Sequence, residues 1–157
     1  MSKEKGQVFR LVRDIAALGR TDAYSAFNVG KGKSYSAKRE PVTDEVIDRH
    51  ACNQQPIAIS LFEGSETHLA VLDVDVHAGE MPWSDVTAKI NPLINELVAQ
   101  GMKPLVVRSG GGAGIHLWFV WKKPQPAKLV RKTLARILES QGFKNGTKGL
   151  AEGAIEI

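Results

Sequence analysis

Several features are scarce or missing in this sequence, and each absence narrows the kind of protein that it can encode. Cys52 is the only cysteine, which excludes an internal disulfide and a metal cluster built on cysteines. No apolar run reaches the length that crosses a bilayer. The opening MSKEKG is polar and no apolar core follows it, so it lacks the form of a secretion signal. We therefore expect an intracellular, cytoplasmic protein that does not enter the membrane.

The size and the charge of the chain favour a single globular domain with an anionic partner. The 157 residues, 43% of them hydrophobic, are enough to bury a real core. No internal repeat, low-complexity segment or convincing linker divides them. The formal net charge of +4 suits a partner of negative charge. The most basic stretch is residues 30–41, GKGKSYSAKREP, which a solvated loop explains as well as a binding surface does.

The spacing of the apolar residues predicts both helices and strands. Helices are predicted over residues 7–19, 44–52, 84–100 and 127–141. Thr43 is expected to cap the second helix, and Pro92 to start a turn or kink in the third. Strands are predicted over residues 23–29, over the two arms of a hairpin at 56–62 and 67–77, and over KPLVVRS, IHLWFVW and the terminal GAIEI.

This order of elements predicts an α+β fold. Helices should cover one face of a largely antiparallel sheet and leave its other face open. Such an arrangement is like that of the RNA-recognition motif, with a small N-terminal αβ unit added before it. We expect residues 1–157 to form one domain.

The segment LAVLDVDVHAG, residues 69–79, places acids at alternate positions of a predicted strand. Because strand side chains alternate between faces, Asp73 and Asp75 should share one face, and His77 should follow in the same rhythm. Two adjacent carboxylates repel each other, so the pair needs a reason. A strand end open to water is one interpretation. A site for Mg²⁺ or Mn²⁺, which take oxygen ligands, is the other. For His77 a solvent-facing or hydrogen-bonded position is favoured over a ligand role.

A glycine-rich connection lies between the two strands that follow, in VVRSGGGAGIHLWFVW, residues 106–121. Glycines allow the backbone to turn several N–H groups toward a phosphate, and Arg108, Ser109 and His116 stand around them. A flexible hairpin explains the glycines alone, but it does not explain these three side chains. No Gly-Lys-Ser/Thr follows, which excludes a Walker loop, and a strand rather than a helix follows, which excludes a dinucleotide fingerprint.

Glu156 lies in the last predicted strand. An isolated acid at such a place is usually exposed and would carry no functional meaning. It gains meaning only together with the two motifs before it.

These three motifs together resemble the catalytic domain of the archaeo-eukaryotic primase superfamily, the primase-polymerases. Its members carry an acidic pair of the form DxD, a serine-to-histidine motif in a hairpin, and a hydrophobic-acid motif on a later strand. Here they correspond to Asp73-Val74-Asp75, to Ser109 through His116, and to Ile155-Glu156. The pattern RSGGGAGIHLWF and a histidine soon after the acidic pair are most similar to primases of phages, plasmids, CRISPR loci and TOTE conflict systems. The resemblance covers roughly residues 20–157.

The resemblance implies a DNA primase or polymerase that works with two divalent ions, Mn²⁺ or Mg²⁺. The catalytic and metal-binding residues would be Asp73, Asp75 and Glu156. The nucleotide phosphates would be bound by side chains and glycines of the second motif, namely Arg108, Ser109, Gly112, Gly114 and His116.

The implied partners are nucleoside triphosphates and single-stranded or primer-template DNA. Basic residues from 31–39 or from 127–141 would contact the DNA phosphates. Domains of this family usually continue past the third motif. We therefore expect a catalytic core trimmed from a longer protein that carries a helicase or an accessory domain.

Two rival functions stay open on the sequence. A metal-dependent nuclease also uses acids and a histidine around two metals, although the glycine-rich hairpin suits a triphosphate better. A nucleotide-binding or nucleic-acid-binding module of the same fold that has lost turnover is the second rival, and the intact acidic pair argues against it.

Overall fold

The computed structural model describes residues 3–28, 34–77, 81–109 and 113–157. They fall into two compact units, Met1–His68 and Leu69–Ile157. Helices and mainly antiparallel strands occur in both, and the predicted α+β fold is confirmed.

The first unit combines two helices with a small antiparallel sheet. Its elements are α1 (Lys3–Ala16), β1 (Tyr24–Asn28), β2 (Ser34–Lys38), α2 (Asp44–Ala51), β3 (Ile57–Ala58) and β4 (Phe62–Glu63). The sheet has the order β2-β1-β3. Thr43 caps α2 as predicted, because its hydroxyl oxygen accepts a hydrogen bond from the N–H of Val46 at 3.4 Å. A small core of Tyr24, Ala26 and Val46 lies under this sheet.

The predicted strand over residues 56–62 is wrong, because the segment is divided between two sheets. Ile57 and Ala58 pair with β1, whereas Phe62 and Glu63 form the hairpin with the following strand. The backbone between them bonds elsewhere. The carbonyl of Ser60 accepts the N–H of Arg20 at 2.9 Å, and the carbonyl of Leu61 accepts the hydroxyl of Thr67.

The second unit contains the segments that carry the three motifs. Strand β5 (Glu66–Val74) leads into it. The elements after it are α3 (Trp83–Ala99), β6 (Leu105–Arg108), β7 (Ile115–Pro126), α4 (Ala127–Ser140), β8 (Lys144–Asn145), a 3-10 turn (Leu150–Glu152) and β9 (Ala154–Ile155). The strand order is β4-β5-β7-β6, and β8 and β9 form a separate parallel pair. From β5 to β9 the main elements follow the sequence β-α-β-β-α-β of split βαβ folds.

One face of this sheet is buried under α3 and α4. Its contributions are Ala70, Leu72 and Val74 from β5 and Ile115, Leu117 and Phe119 from β7. The helices supply Val86, Ile90, Leu93, Leu97, Leu134, Ile137 and Leu138.

Helix α3 runs through Pro92 without ending there, which corrects the expected turn start at this residue. Pro92 lies on the exposed side of the helix, while Ile90 and Leu93 beside it are fully buried. The buried face holds the two halves together although proline cannot donate its backbone hydrogen bond.

The opposite face of the sheet is open. It carries Asp73, His116 and Trp118, which are half-buried, and Val107 and Leu105, which are exposed. The register places Val107 opposite His116 and Leu105 opposite Trp118, so these four side chains share one face. None of the described helices is both long and apolar enough to cross a bilayer.

Candidate active site

The acidic pair lies where β5 ends. Leu72 and Val74 are fully buried on the helix side of the strand, and Asp73 between them is turned to the open face, with a side chain 37% exposed. Asp75 follows directly after the last residue of β5 and is half-buried. The alternation that the sequence predicts for this strand is therefore present up to its end.

Glu156 is joined to the acidic strand by backbone hydrogen bonds. The N–H of Asp73 donates to the carbonyl of Glu156 at 2.9 Å, and the N–H of Glu156 donates to the carbonyl of Asp73 at 3.1 Å. This is an antiparallel bridge in which the two residues are directly opposite, so their side chains project to the same face. The predicted terminal strand is shorter than GAIEI, because β9 ends at Ile155 and Glu156 pairs with β5 instead of β8.

His116 brings a third strand to the same place. Its Nε2 lies 3.2 Å from Oδ1 of Asp73, and both side chains are about one-third exposed, at 32% and 37%. Strand β7 lies between β5 and β6, which puts the imidazole on the open face beside the acid. Three residues that are far apart in the sequence, Asp73, His116 and Glu156, thus meet on one sheet.

The charge on Asp73 is poorly stabilised by its surroundings. Partial burial raises the pKa of this carboxyl group, and the negative charges of Asp75 and Glu156 raise it further, while His116 acts in the opposite direction. Oδ1 is inaccessible to solvent and has no hydrogen-bond partner among the described residues. The imidazole nitrogen is close to it, but the contact does not have the alignment of a hydrogen bond.

The donors at this site fit a hard divalent cation. A buried carboxylate oxygen without a hydrogen bond, beside two further acids, gains from a positive charge. As the side chains stand, no group of three or more possible ligands has converged on a single point in the described parts of the chain. Loading a metal would therefore require side-chain rotations at Asp73, Asp75 or Glu156.

The hairpin of the second motif closes between Ser109 and Gly114. The N–H of Ser109 donates to the carbonyl of Gly114 at 2.9 Å, and the N–H of Gly114 donates to the hydroxyl oxygen of Ser109 at 3.0 Å. A Cβ on Gly114 would lie 2.5 Å from the carbonyl oxygen of Val74, which stands between the two aspartates. Only glycine lets the hairpin approach the acidic strand this closely. Gly112 lies outside the described residues.

Arg108 is placed away from the other candidates. It is opposite Ile115 in the register, and Ile115 is buried on the helix side of the sheet. Its guanidinium lies over the ring of Trp83, at 4.4 Å from the ring centre, where α3 begins. The structure therefore places the imidazole of His116 beside Asp73, and it places Ser109 in a hairpin that approaches the acidic strand through Gly114. It leaves Arg108 on the other face of the sheet.

One contact at the site was not anticipated from the sequence. The carbonyl of Asp75 accepts a hydrogen bond from the N–H of Leu150 at 2.9 Å, just after Gly149, whose φ is +83°. A Cβ on Gly149 would lie 3.1 Å from that carbonyl oxygen and 3.7 Å from Nε2 of His77. The repeated glycines of GTKGLAEG, before the third motif, were the available signal. His77 itself is exposed, as the sequence favoured.

Comparisons with known proteins identify the family of this chain. A search of curated proteins finds no significant match. The family model described as "TOTE conflict system, Archaeo-Eukaryotic Primase domain" matches residues 20–150, which is most of the chain and includes the first two motifs but not Glu156. The chain therefore belongs to the archaeo-eukaryotic primase domain family of TOTE conflict systems, within a superfamily of primase-polymerase-type nucleotidyltransferases.

Proposed function

We propose that this chain is the catalytic core of a DNA primase-polymerase, which transfers nucleotides from ribo- or deoxyribonucleoside triphosphates to a primer or a first nucleotide on a template. The observation that carries the proposal is the meeting of Asp73, His116 and Glu156 on the open face of one sheet. In the transfer, a 3′-hydroxyl oxygen bonds to the α-phosphorus, and the bond to pyrophosphate breaks.

Asp73, Asp75 and Glu156 are the residues that would hold two divalent ions. Such ions would lower the pKa of the attacking hydroxyl and offset negative charge on the leaving pyrophosphate. The acids themselves keep the site strongly negative until cations are present. Burial and the two neighbouring acids raise the pKa of Asp73, and no hydrogen bond from the described residues stabilises its Oδ1. A bound cation would supply the positive charge that this carboxylate lacks.

His116 and the Ser109 hairpin are suited to the triphosphate. The imidazole is on the same face as the acids, and once Asp73 is neutralised it can donate to a phosphate oxygen. The hydroxyl of Ser109 accepts from Gly114 and keeps its own proton for a phosphate oxygen. Because Gly114 rests against the carbonyl of Val74, the hairpin is held at a fixed distance from the acids.

The open face beside His116 offers an apolar surface for the base. Val107 and Leu105 are 39% and 59% exposed, and Trp118 is on the same face. Any of the nucleobases can stack on a tryptophan ring, because each has a flat aromatic face. A nucleotide with its phosphates at His116 could place its base along this row.

Thermal shift with Mn²⁺ and a nucleoside triphosphate, alone and together, tests binding at this site. We expect a larger rise in melting temperature with both than the sum of the separate rises, because a cation held by the acids would offset their negative charge and so favour binding of the triphosphate. Asp75→Ala should abolish the joint effect, whereas the control Asp48→Ala, at an exposed acid of α2, should retain it. Equal joint stabilisation of all three proteins would contradict the assignment.

Primer extension on a labelled primer-template separates the rival functions. Lengthening of the primer that depends on Mn²⁺ or Mg²⁺ supports transfer, and its loss in Asp73→Ala and Asp75→Ala assigns the acids. Shortening of the strand without lengthening indicates a nuclease. Joint binding of metal and triphosphate without either reaction indicates a module that has lost turnover.

A further inference from the structure

An apolar groove lies in the second unit, beside α4 and on the side of the sheet that the helices cover. Its volume is about 190 Å³. Its apolar lining is formed by Met102, Trp121, Leu129, Val130 and Leu134. A cavity of roughly 150 Å³ with apolar walls already holds a benzene ring. This surface, which we call the α4 groove, can therefore receive one large apolar side chain.

The lining of the α4 groove combines a fixed ring with an exposed leucine. Trp121 is half-buried, and its ring stacks on that of buried Phe119, with 6.1 Å between the ring centres and 16° between the planes. Leu129 is 59% exposed. Isolated exposed leucines are common, but one that borders a pocket with a fixed aromatic ring gains from burial by a partner.

The sequence around the α4 groove is basic. Residues 97–138 contain no aspartate and no glutamate. On β7, Lys123 shares a strand face with Trp121 and Gln125, which both line the groove, because side chains alternate along a strand. One cation is therefore at the rim on the side of the strand.

Helix α4 adds two cations to this rim. Lys132 is three positions after Leu129, and Arg136 is three positions after Thr133, so each is a neighbour of a lining residue on the helix surface. Lys123, Lys132 and Arg136 are all exposed. The described residues provide none of these three cations with an ion-pair partner. Their charges are thus available to a partner.

We propose that the α4 groove docks an acidic segment of a partner protein. The segment inserts one large apolar side chain between Trp121 and Leu129 and places its carboxylates against the three rim cations. The charge of the rim selects an acidic partner, and the apolar lining requires an apolar anchor. The proposal does not depend on the proposed function, because the groove and Asp73 are on opposite faces of the sheet.

Two other occupants fit the α4 groove less well. A sugar-phosphate strand would use the cations but leave the apolar lining in water. A second copy of this chain would have to supply an acidic segment with an exposed apolar residue. Its acidic helix α2 does not, because Val46 and Ile47 are buried there, which leaves the hairpin at Phe62, a residue 54% exposed, as the segment to test.

Nuclear magnetic resonance of the isotope-labelled protein tests the docking, because the chain has three tryptophans and only Trp121 lines the groove. The probes are short peptides with one central phenylalanine, leucine or tryptophan between runs of glutamate. We expect at least one of them to shift the indole N–H signal of Trp121 more than those of Trp83 and Trp118. The same peptide with alanine at its centre should bind about tenfold more weakly, since it lacks the anchor.

A matched pair of leucine variants tests the apolar contact. Leu129→Ser should weaken binding of the anchored peptide by about tenfold. Leu11→Ser removes a leucine of the same 59% exposure from α1 and should bind the peptide like the parent. Equal binding by both variants would show that the groove is not the docking surface.

A matched pair of charge variants on α4 tests the rim. Lys132→Ala/Arg136→Ala should weaken binding severalfold at low salt, and the difference should shrink near 1 M salt, where the screening length is about 3 Å. Lys128→Ala/Arg131→Ala removes the same charge from exposed positions of the same helix. Its effect should be smaller, because residues one and two positions from Leu129 are turned to another side of the helix. Equal effects of the two variants would mean diffuse attraction and no rim.

The remaining outcomes also decide the proposal. No shift of Trp121 with any anchored peptide, or equal binding of the alanine peptide, would overturn it. Displacement of the peptide by an oligothymidylate that itself shifts Trp121 in EDTA would assign the groove to nucleic acid. A shift of Trp121 that grows with protein concentration alone, and that Phe62→Ser abolishes, would assign it to a second copy.

Discussion

Replacing Asp73 with asparagine should stabilise the metal-free protein while removing its activity. The substitution keeps the shape of the side chain and both backbone bonds to Glu156, and it removes one negative charge. Partial burial, Asp75 and Glu156 all raise the pKa of this carboxyl group, which means that its ionised form is unfavourable in the folded chain. A residue kept for function at the expense of stability behaves in this way.

The size of the gain follows from the cross-strand geometry. Like charges that are directly opposite on two strands cost roughly 0.2–1 kcal/mol, as applies to Asp73 and Glu156. The lost attraction to His116 offsets part of this, by about 0–1 kcal/mol, because a pair that is one-third exposed is screened by solvent. That attraction is present only when the imidazole is protonated. Near pH 8 we expect a net gain of about 0.5 kcal/mol, or about 1–2 °C in melting temperature for a chain of this length.

The pH dependence gives the sign of the effect. Because the folded-state pKa of Asp73 is raised, the folded chain binds this proton more tightly than the unfolded chain does. The free energy of unfolding of the parent should therefore fall as the pH rises from the usual aspartate value of about 4 through the raised value. Asp73→Asn lacks this loss, so its advantage should be small in acid and grow toward pH 8.

Differential scanning calorimetry of both proteins in EDTA, over a pH series, measures this difference. Asp48→Asn is the matched control, since it neutralises an exposed acid on α2 and should show no pH-dependent advantage. A lower melting temperature of Asp73→Asn near pH 8 would refute the reasoning. An advantage of the same size at all pH values would show that something other than the charge is responsible.

Three further substitutions test the contacts around the acidic strand. Glu156→Gln removes the same cross-strand repulsion as Asp73→Asn, so it should raise the metal-free melting temperature by about 1–2 °C. It should also weaken the joint binding of Mn²⁺ and triphosphate in the thermal-shift assay, because it removes a proposed ligand and leaves the backbone bridge. Gly114→Ala, which brings a Cβ to 2.5 Å from a backbone oxygen, should lower the free energy of unfolding by about 1–3 kcal/mol in urea titrations, whereas Gly146→Ala, with its nearest atom at 4.0 Å, should cost less. Gly149→Ala and Gly142→Ala share the strain of a φ near +80°, but only at Gly149 would the new Cβ meet a backbone carbonyl oxygen, that of Asp75 at 3.1 Å. Gly149→Ala should therefore lose more stability and more nucleotide transfer than Gly142→Ala. Equal losses in the two variants would contradict a role for Gly149 in positioning Asp75.

The local pattern of the sequence was sufficient for most helices and for the alternation on β5. The predicted helix over 127–141 is Ala127–Ser140, and the predicted cap at Thr43 is present, because both depend on residues within one or two turns. Pro92 shows the limit of such reasoning. Its local preference was overridden by the burial of Ile90 and Leu93, which depends on the sheet under α3.

The sequence by itself determined the fold class, the family and the alternation that turns Asp73 away from the core, since motif spacing and a period of two residues are properties of the chain. Only the tertiary structure decided which candidates meet. A backbone bridge places Glu156 directly opposite Asp73, although the two residues are 83 positions apart in the sequence. Arg108, although adjacent to Ser109, is on the other face because the register pairs it with buried Ile115. Strand pairing and register are set by long-range packing, which no local pattern contains.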